Sequence, residues 1–166
     1  MPTRSIPPRC LEIVALGTPA EAAFGAHWPL APGQVRRSAP NRFELLHFAP
    51  GRWLAPALTD FLEEQCRRLT ASGAAMLIDV DGKWRKVVLS RAAAERVLRQ
   101  DLDVELLLGS RECAASTLFD CPAIFARSHS HYHFWVQASY YGNWLRMFLS
   151  PSGTTAQLVL ENFEKP

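Results

Sequence analysis

The sequence predicts an α+β domain, with a mixed or antiparallel sheet and helices packed on it. Three observations lead to this class. Short apolar runs typical of strands outnumber segments with helical spacing, and the two kinds do not alternate strictly along the chain. The composition is globular, with 166 residues of which 48% are hydrophobic and 20% charged. A chain of this length can bury a substantial core.

The first 41 residues are expected to form an extended arm. They contain seven of the twelve prolines, and proline removes a backbone donor and breaks regular elements. Apolar residues of the arm, Trp28 among them, favour docking on the domain or on a partner chain. The predicted organisation is therefore an arm at 1–41, one α+β domain at 42–150 and a tail at 151–166.

The first elements of the predicted domain are a strand and a long helix. The segment from Arg42 to Phe48 predicts the strand, and a turn follows at residues 49–52. From Pro56 onward, apolar residues recur at helical spacing, and Gly73 supplies a stop signal.

Residues 74–106 are predicted to fold as strand, turn, strand and helix. Asp81-Gly82 is a strong two-residue turn signal between two apolar runs, so we expect the runs to pair as a β-hairpin with Met76 opposite Val87. Ser90 is expected to cap the helix that follows. The apolar stripe of that helix consists of Ala93, Ala94, Val97 and Leu98.

Three further strands and a last helix complete the prediction. The strands are expected at 113–118, 122–127 and 132–136. Ser139 is expected to cap the helix, which Pro151 ends. An apolar cluster at 158–160 in the tail is compatible with an edge strand or with partner binding.

Charge and hydropathy exclude several classes of protein. The net charge is +2 and the basic residues are dispersed, which does not favour nucleic-acid binding. No apolar run approaches the ~20 residues that span a bilayer. Pro7, Pro8 and Glu12 interrupt the apolar stretch that a signal peptide requires, so a cytoplasmic protein is expected. The four cysteines form no C-x-x-C pair, and we expect buried free thiols.

Two clusters carry residues that chemistry could use. His129, His131 and His133 alternate, and such a series can chelate a metal. The alternative is a polar loop from Ser128 to His131 followed by an outward-facing His133, and no Cys, Asp or Glu lies close in sequence to complete a site.

Asp101, Asp103 and Glu105 could act as paired carboxylates in acid or base catalysis. The alternative is that they cap and solvate a connection between elements. No glycine-rich phosphate loop and no G-x-S-x-G motif is present. We therefore assign no catalytic, cofactor-binding or metal-binding residue to this chain.

The succession of segments resembles the gamma subunit family of heterotetrameric sarcosine oxidase. The resembling segments, in the order of the family, are FGAHWPLAPGQV, LLHFAPGRWLAPA, DVDGKWRKVVLS, RAAAERVL, ECAASTLFDCPAIFAR and FWVQASYYGNWLRMFL. They cover most of the chain. The sequence departs from the family's pattern at Arg91 and Ala138, so a divergent paralogue is the alternative.

The resemblance implies a fold similar to the folate-binding domain of aminomethyltransferases and a noncatalytic subunit of a flavin-dependent complex. Such complexes oxidatively demethylate sarcosine or a related N-methyl amino acid. The resemblance further implies that this chain binds no cofactor, and that larger flavoprotein subunits hold FAD, FMN, NAD and tetrahydrofolate.

Three functions are consistent with the sequence. The first is the structural subunit, for which the expected partner-contacting residues are Trp28, Trp84, Val88, Trp135 and Trp144. The second is a stand-alone tetrahydrofolate-binding, aminomethyltransferase-like protein that uses Asp101, Asp103 or Glu105. The third is a freestanding interaction module.

Overall fold

The structure, a computed structural model, describes residues 9–17, 28, 31–38, 43–98 and 101–148. Within these ranges the side chains of residues 96–97 and 144–148 lie outside the description. The chain divides into two compact units, Met1–Asp81 and Gly82–Pro166. Each unit contains its own antiparallel sheet.

The first unit is a five-stranded sheet with one described helix. Its strands have the spatial order β2-β3-β4-β1-β5, and all neighbours are antiparallel. The elements are β1 (Leu11–Ala15), β2 (Val35–Ser38), β3 (Phe43–Ala49), β4 (Arg52–Ala55), α1 (Asp60–Ala71) and β5 (Ala75–Asp79).

The core of the first unit lies between one face of its sheet and α1. Leu11 and Ile13 alternate along β1 and pack with Leu62, Cys66 and Leu69, which recur at helical spacing on α1. The helix begins after Thr59, whose side-chain oxygen accepts a hydrogen bond from the backbone N–H of Leu62 at 3.4 Å. The burial of this stripe fixes α1 on the sheet.

In its described residues, the second unit is a four-stranded antiparallel sheet with three helices. Its strands have the spatial order β6-β9-β8-β7. The elements are β6 (Trp84–Ser90), α2 (Arg91–Leu98), α3 (Val104–Leu108), β7 (Cys113–Leu118), β8 (Cys121–Arg127), β9 (His131–Gln137) and α4 (Ala138–Phe148).

The core of the second unit joins one sheet face to its helices. Phe125 and Phe134 lie at its centre with ring centroids 5.3 Å apart, in an edge-to-face arrangement. Ala93, Ala94 and Leu98 of α2 are buried against this face. The predicted apolar stripe of α2 is therefore confirmed at these three residues, while the side chain of Val97 lies outside the description.

The predicted hairpin between the runs 76–80 and 84–89 is wrong. Strand β5 pairs with β1, and β6 pairs with β9, so Met76 lies opposite Val14 and Val87 opposite Phe134. The turn itself forms at Asp81-Gly82, where Gly82 has φ +76°. The sequence signal for the turn is local and does not specify which strands pair. In this protein the turn connects a strand of one sheet to a strand of the other.

The predicted domain boundaries also differ from the observed division. The segment 1–41, expected to be an arm, contains β1 and β2, which belong to the first sheet. The division falls after Asp81 and not at residue 41. The tail predicted at 151–166 lies outside the described residues.

Other predicted elements are observed. The α+β class is confirmed, and the long helix and the strands near residues 43, 113, 121 and 131 form. Ser90 accepts a hydrogen bond from the N–H of Ala93 at 3.2 Å, as expected of an N-cap. Ser139, in contrast, lies inside α4, which begins at Ala138. Among the described helices, none combines the length and hydropathy needed to cross a bilayer.

Candidate functional site

The three acidic residues considered for catalysis are all engaged by protein groups. Asp101 accepts a hydrogen bond from the N–H of Phe119 at 2.7 Å, which ties the β7–β8 turn to the connection before α3. Asp103 is the N-cap of α3 and accepts from the N–H of Leu106 at 3.0 Å. These contacts correspond to the capping alternative considered for the sequence.

Glu105 is the hub of a polar cluster on the second unit. Tyr132 donates its hydroxyl to the Glu105 carboxylate, and Arg127 pairs with the same carboxylate at 2.9 Å. The guanidinium of Arg91 lies 5.9 Å from the centre of the Tyr132 ring. Burial, together with the hydrogen bond to Glu105, raises the pKa of Tyr132 to about 12. The cluster therefore joins α3 to β8 and β9 with a phenol that stays protonated at neutral pH.

A cavity of about 240 Å³ adjoins this cluster. Its lining includes Glu95, Asp103, Glu105 and Tyr132, so the structure brings together two of the three suspected carboxylates. Asp101 is not among its lining residues. Pockets that bury a drug-sized ligand usually measure about 300 to 1,000 Å³, and this cavity is smaller.

The three histidines lie on the β8–β9 turn and at the start of β9. The N–H of Ser128 closes the turn by donating a hydrogen bond to the carbonyl of His131 at 2.9 Å. The hydroxyl of Ser130 lies 2.7 Å from Nδ1 of His131. The ring of His133 lies 6.2 Å from that of Trp135. In the part of the chain that the structure describes, no group of three or more His, Cys, Asp or Glu side chains is arranged to hold a metal ion.

The five expected partner-contacting residues occupy different environments. Trp28 is buried and packs edge-to-face on Trp53 at 5.8 Å. Trp135 is also buried, with the ammonium of Lys86 5.6 Å from its ring centre. Neither indole is available as an exposed contact residue within the folded chain.

Trp84 and Val88 of β6 are half-buried. The ammonium of Lys83 lies 5.1 Å from the Trp84 ring centre. The side chain of Trp144 lies outside the description. The prediction of a partner surface at these five residues therefore remains a prediction, and its accessible members are Trp84 and Val88.

A second concave region lies on the first unit beside β5. It is a groove of about 530 Å³ with an apolar floor. Strand residues Leu77 and Asp79 line one side, and α1 residues including Cys66 and Arg67 line the other. Burial, and then the nearby Glu63 carboxylate, raise the pKa of Cys66 to about 11, so its thiol is protonated at neutral pH.

The contacts that shape the cavity beside Glu105 and the groove beside β5 are not predictable from the sequence. Tyr132 and Glu105 are 27 positions apart, and only the pairing of β9 with β8 brings Tyr132 and Arg127 together. Arg9 and Asp79 form an ion pair at 2.6 Å across 70 positions. No local pattern encodes these contacts, although the alternation of apolar residues in Leu11–Ala15 was a usable signal for β1.

Comparison with known proteins gives one informative result. The sequence matches no protein-family model and no curated protein. The fold is similar to that of a chain in the heterotetrameric sarcosine oxidase from Corynebacterium sp. U-96, solved in complex with pyrrole 2-carboxylate. The TM-score is 0.65 at 19% sequence identity, and the match covers 84% of this chain and 76% of that chain. The protein therefore shares the fold of a sarcosine oxidase chain.

Proposed function

We propose that this chain is a noncatalytic structural subunit of a multi-subunit, flavin-dependent oxidoreductase of the sarcosine oxidase type. The observation that carries the proposal is the shared fold over 84% of the chain with a chain of a heterotetrameric complex. The order of the resembling sequence segments supports the same proposal. The complex would oxidatively demethylate sarcosine or a related N-methyl amino acid, in the cytoplasm.

The engagement of the suspected carboxylates is consistent with a structural role. Asp101 and Asp103 hold backbone N–H groups, and Glu105 holds Tyr132 and Arg127. Under this proposal the larger flavoprotein subunits hold FAD, FMN, NAD and tetrahydrofolate, and this chain contributes contact surface.

The experiment is affinity capture of the tagged full-length chain from a lysate of its native organism. We expect large flavin-containing subunits to co-purify, and the captured complex to consume oxygen when sarcosine or a related N-methyl amino acid is added. An unrelated tagged protein of similar size is the control. Recovery of the chain alone, with no flavoprotein, would contradict the proposal.

A stand-alone tetrahydrofolate-binding protein is the alternative, motivated by the cavity beside Asp103 and Glu105. The cavity is smaller than the usual range for ligands of drug size, and both carboxylates already have protein partners. Calorimetric titration with tetrahydrofolate separates the two functions. Saturable binding to the isolated chain would favour the alternative, and no binding at millimolar ligand would remove it.

A further inference from the structure

We propose that the free edge of β5, together with the adjoining groove, receives an extended, uncharged apolar segment of a partner polypeptide as an additional strand. This inference rests on the proposed function, because it names the surface through which a subunit of that complex would dock. It is independent of the surface around Trp84 and Val88.

Among the residues that the structure describes, the backbone of β5 is paired on one side only. Val80 donates to the carbonyl of Cys10 at 3.0 Å, and Leu16 donates to the carbonyl of Ala74 at 2.9 Å. In an antiparallel pair, alternate residues exchange hydrogen bonds with the neighbouring strand. Residues 76 and 78 therefore point their backbone groups toward β1. The N–H and C=O groups of Ala75, Leu77 and Asp79 point away from it.

Strand β5 is the last strand of its sheet among the described residues. Its outward N–H and C=O groups form a row that only another extended chain can satisfy in register. This requirement identifies the class of occupant, since a helix or a globular surface offers no matching row of backbone groups.

Both faces beside this edge are apolar. On one face lies the groove, with Leu11, Leu58 and Leu77 among its lining residues. On the other face, Met76 and Ile78 are 45% and 37% exposed. Successive side chains of an added strand point to opposite faces. Alternate side chains would thus enter the groove and cover Met76 and Ile78.

The charges around the groove balance. Arg9 and Arg67 are matched by Glu63 and Asp79. Arg9 is paired with Asp79, and Arg67 with Glu64. A groove without net charge offers no electrostatic attraction to a charged peptide or a nucleic acid. An apolar peptide, in contrast, is favoured because it displaces water from the apolar floor of the groove. The charge pattern thus complements an uncharged, apolar strand.

The test is hydrogen–deuterium exchange of the full-length chain, alone and with the large flavin-binding subunits from the organism that supplies it. In the isolated chain we expect fast exchange at the amides of Leu77 and Asp79. The amides of Met76 and Ile78, which bond to β1, are the internal control and exchange slowly. In the complex, Leu77 and Asp79 should become protected by at least tenfold.

Three results would overturn the proposal. If a complex forms and these two amides stay fast, the docking edge is wrong while the proposed function stands. If the flavin-binding subunits do not bind at all, both fail. Protection already present in the isolated chain would show another occupant. That occupant is a segment of this chain if protection is independent of concentration, and a second copy if protection rises with concentration.

A variant pair tests the same edge through affinity. Leu77→Pro removes an outward N–H that the sheet does not use, and proline is tolerated on edge strands in that orientation. Leu77→Ala removes the side chain and keeps the N–H. We expect Leu77→Pro to bind the partner subunits roughly tenfold more weakly than Leu77→Ala, a loss typical of one backbone hydrogen bond. Equal affinities, with slow exchange at Met76 and Ile78 retained in both variants, would contradict the proposal.

Discussion

Glu12 is a carboxylate in the central part of an otherwise apolar strand. Its residue is 2% exposed, and Arg52 of the neighbouring strand donates Nε to it at 2.8 Å. The same guanidinium lies 5.2 Å from the ring centre of Phe48. Arg52 thus compensates the charge of a buried group while remaining half exposed itself.

The first prediction concerns this pair. Arg52→Ala should lower the free energy of unfolding by about 1 to 3 kcal/mol, because a buried acceptor loses its charged donor. Urea unfolding measures the change. Glu12→Gln combined with Arg52→Ala should recover part of the loss, since no buried charge then remains.

The matched control is Arg9→Ala, which removes the exposed pair with Asp79. Exposed pairs contribute roughly 0 to 1 kcal/mol, and both side chains of this pair are about half exposed. A loss for Arg9→Ala as large as that for Arg52→Ala would show that burial of Glu12 does not determine the effect.

The second prediction concerns pH and Cys10. Burial, followed by the charges of Asp81, Asp79 and Glu12, raises the pKa of this thiol from 9.0 to about 12. Between those values the folded state keeps a proton that the unfolded state releases. Stability from this group is therefore complete below pH 9 and declines as pH rises toward 12.

Urea unfolding between pH 8 and pH 10.5 measures this dependence. One thiol contributes a slope of at most about 1.4 kcal/mol per pH unit. Cys10→Ala should have a shallower decline above pH 9 than the unmodified chain, whereas tyrosines and lysines contribute equally to both. Identical slopes would contradict a raised thiol pKa.

At the scale of elements, α3 depends on one side chain at its first turn. Asp103 caps the five-residue helix and also lines the cavity. The third prediction is that Asp103→Ala costs about 1 kcal/mol of unfolding free energy, while Asp103→Asn changes it by only a few tenths, because asparagine caps as well as aspartate. Thermal or urea unfolding of both variants checks this. If Asn were as costly as Ala, the negative charge and not the cap would be the important property.

The features of single elements that depend on nearby residues, namely helix caps, helices and strands, are predictable from the sequence. The sequence predicts Ser90 as a cap because an N-cap hydroxyl needs only a backbone N–H a few residues away, and in the structure the hydroxyl accepts from the N–H of Ala93. The helix Asp60–Ala71 and the strands β7 to β9 follow from apolar spacing within short windows. Pairing across long separations was not predictable. The Asp81-Gly82 signal gave the turn correctly but could not show that β5 binds β1.

Strand β1 was missed for a related reason. Prolines dominate the segment 1–41, yet the five residues Leu11–Ala15 contain none. An average over the whole segment concealed a short strand that lies between β4 and β5 in the sheet. The cavity lining was likewise hidden, because Glu105 and Tyr132 meet only in the folded unit.

At the scale of the whole molecule, the chain is divided at Asp81 and Gly82. Among the described strands, no pair crosses this point. The fourth prediction is that inserting Gly-Ser-Gly between these two residues retains both sheets and costs less than about 1 kcal/mol, since the connection pairs no strands. Circular dichroism and urea unfolding measure the result.

The control is the same insertion between Phe119 and Asp120. These residues form a two-residue turn between paired Leu118 and Cys121, and the Phe119 N–H is held by Asp101. A longer loop and a lost hydrogen bond together cost about 1 to 2 kcal/mol. If the insertion after Asp81 were the more damaging, the connection at Asp81-Gly82 would itself contribute to stability, which would contradict the prediction.

The central position of β1 has a consequence for synthesis of the chain on the ribosome. Strand β1, at residues 11–15, leaves the ribosome before both of its partners, β4 at 52–55 and β5 at 75–79. The nascent chain must therefore carry this apolar strand without its first neighbour until residue 55 has been made, and without its second until residue 79 has been made. Contacts so distant in sequence form slowly and leave the strand open to aggregation or chaperone capture. We expect soluble yield in cells to respond more strongly to substitutions in β1 than equilibrium stability does.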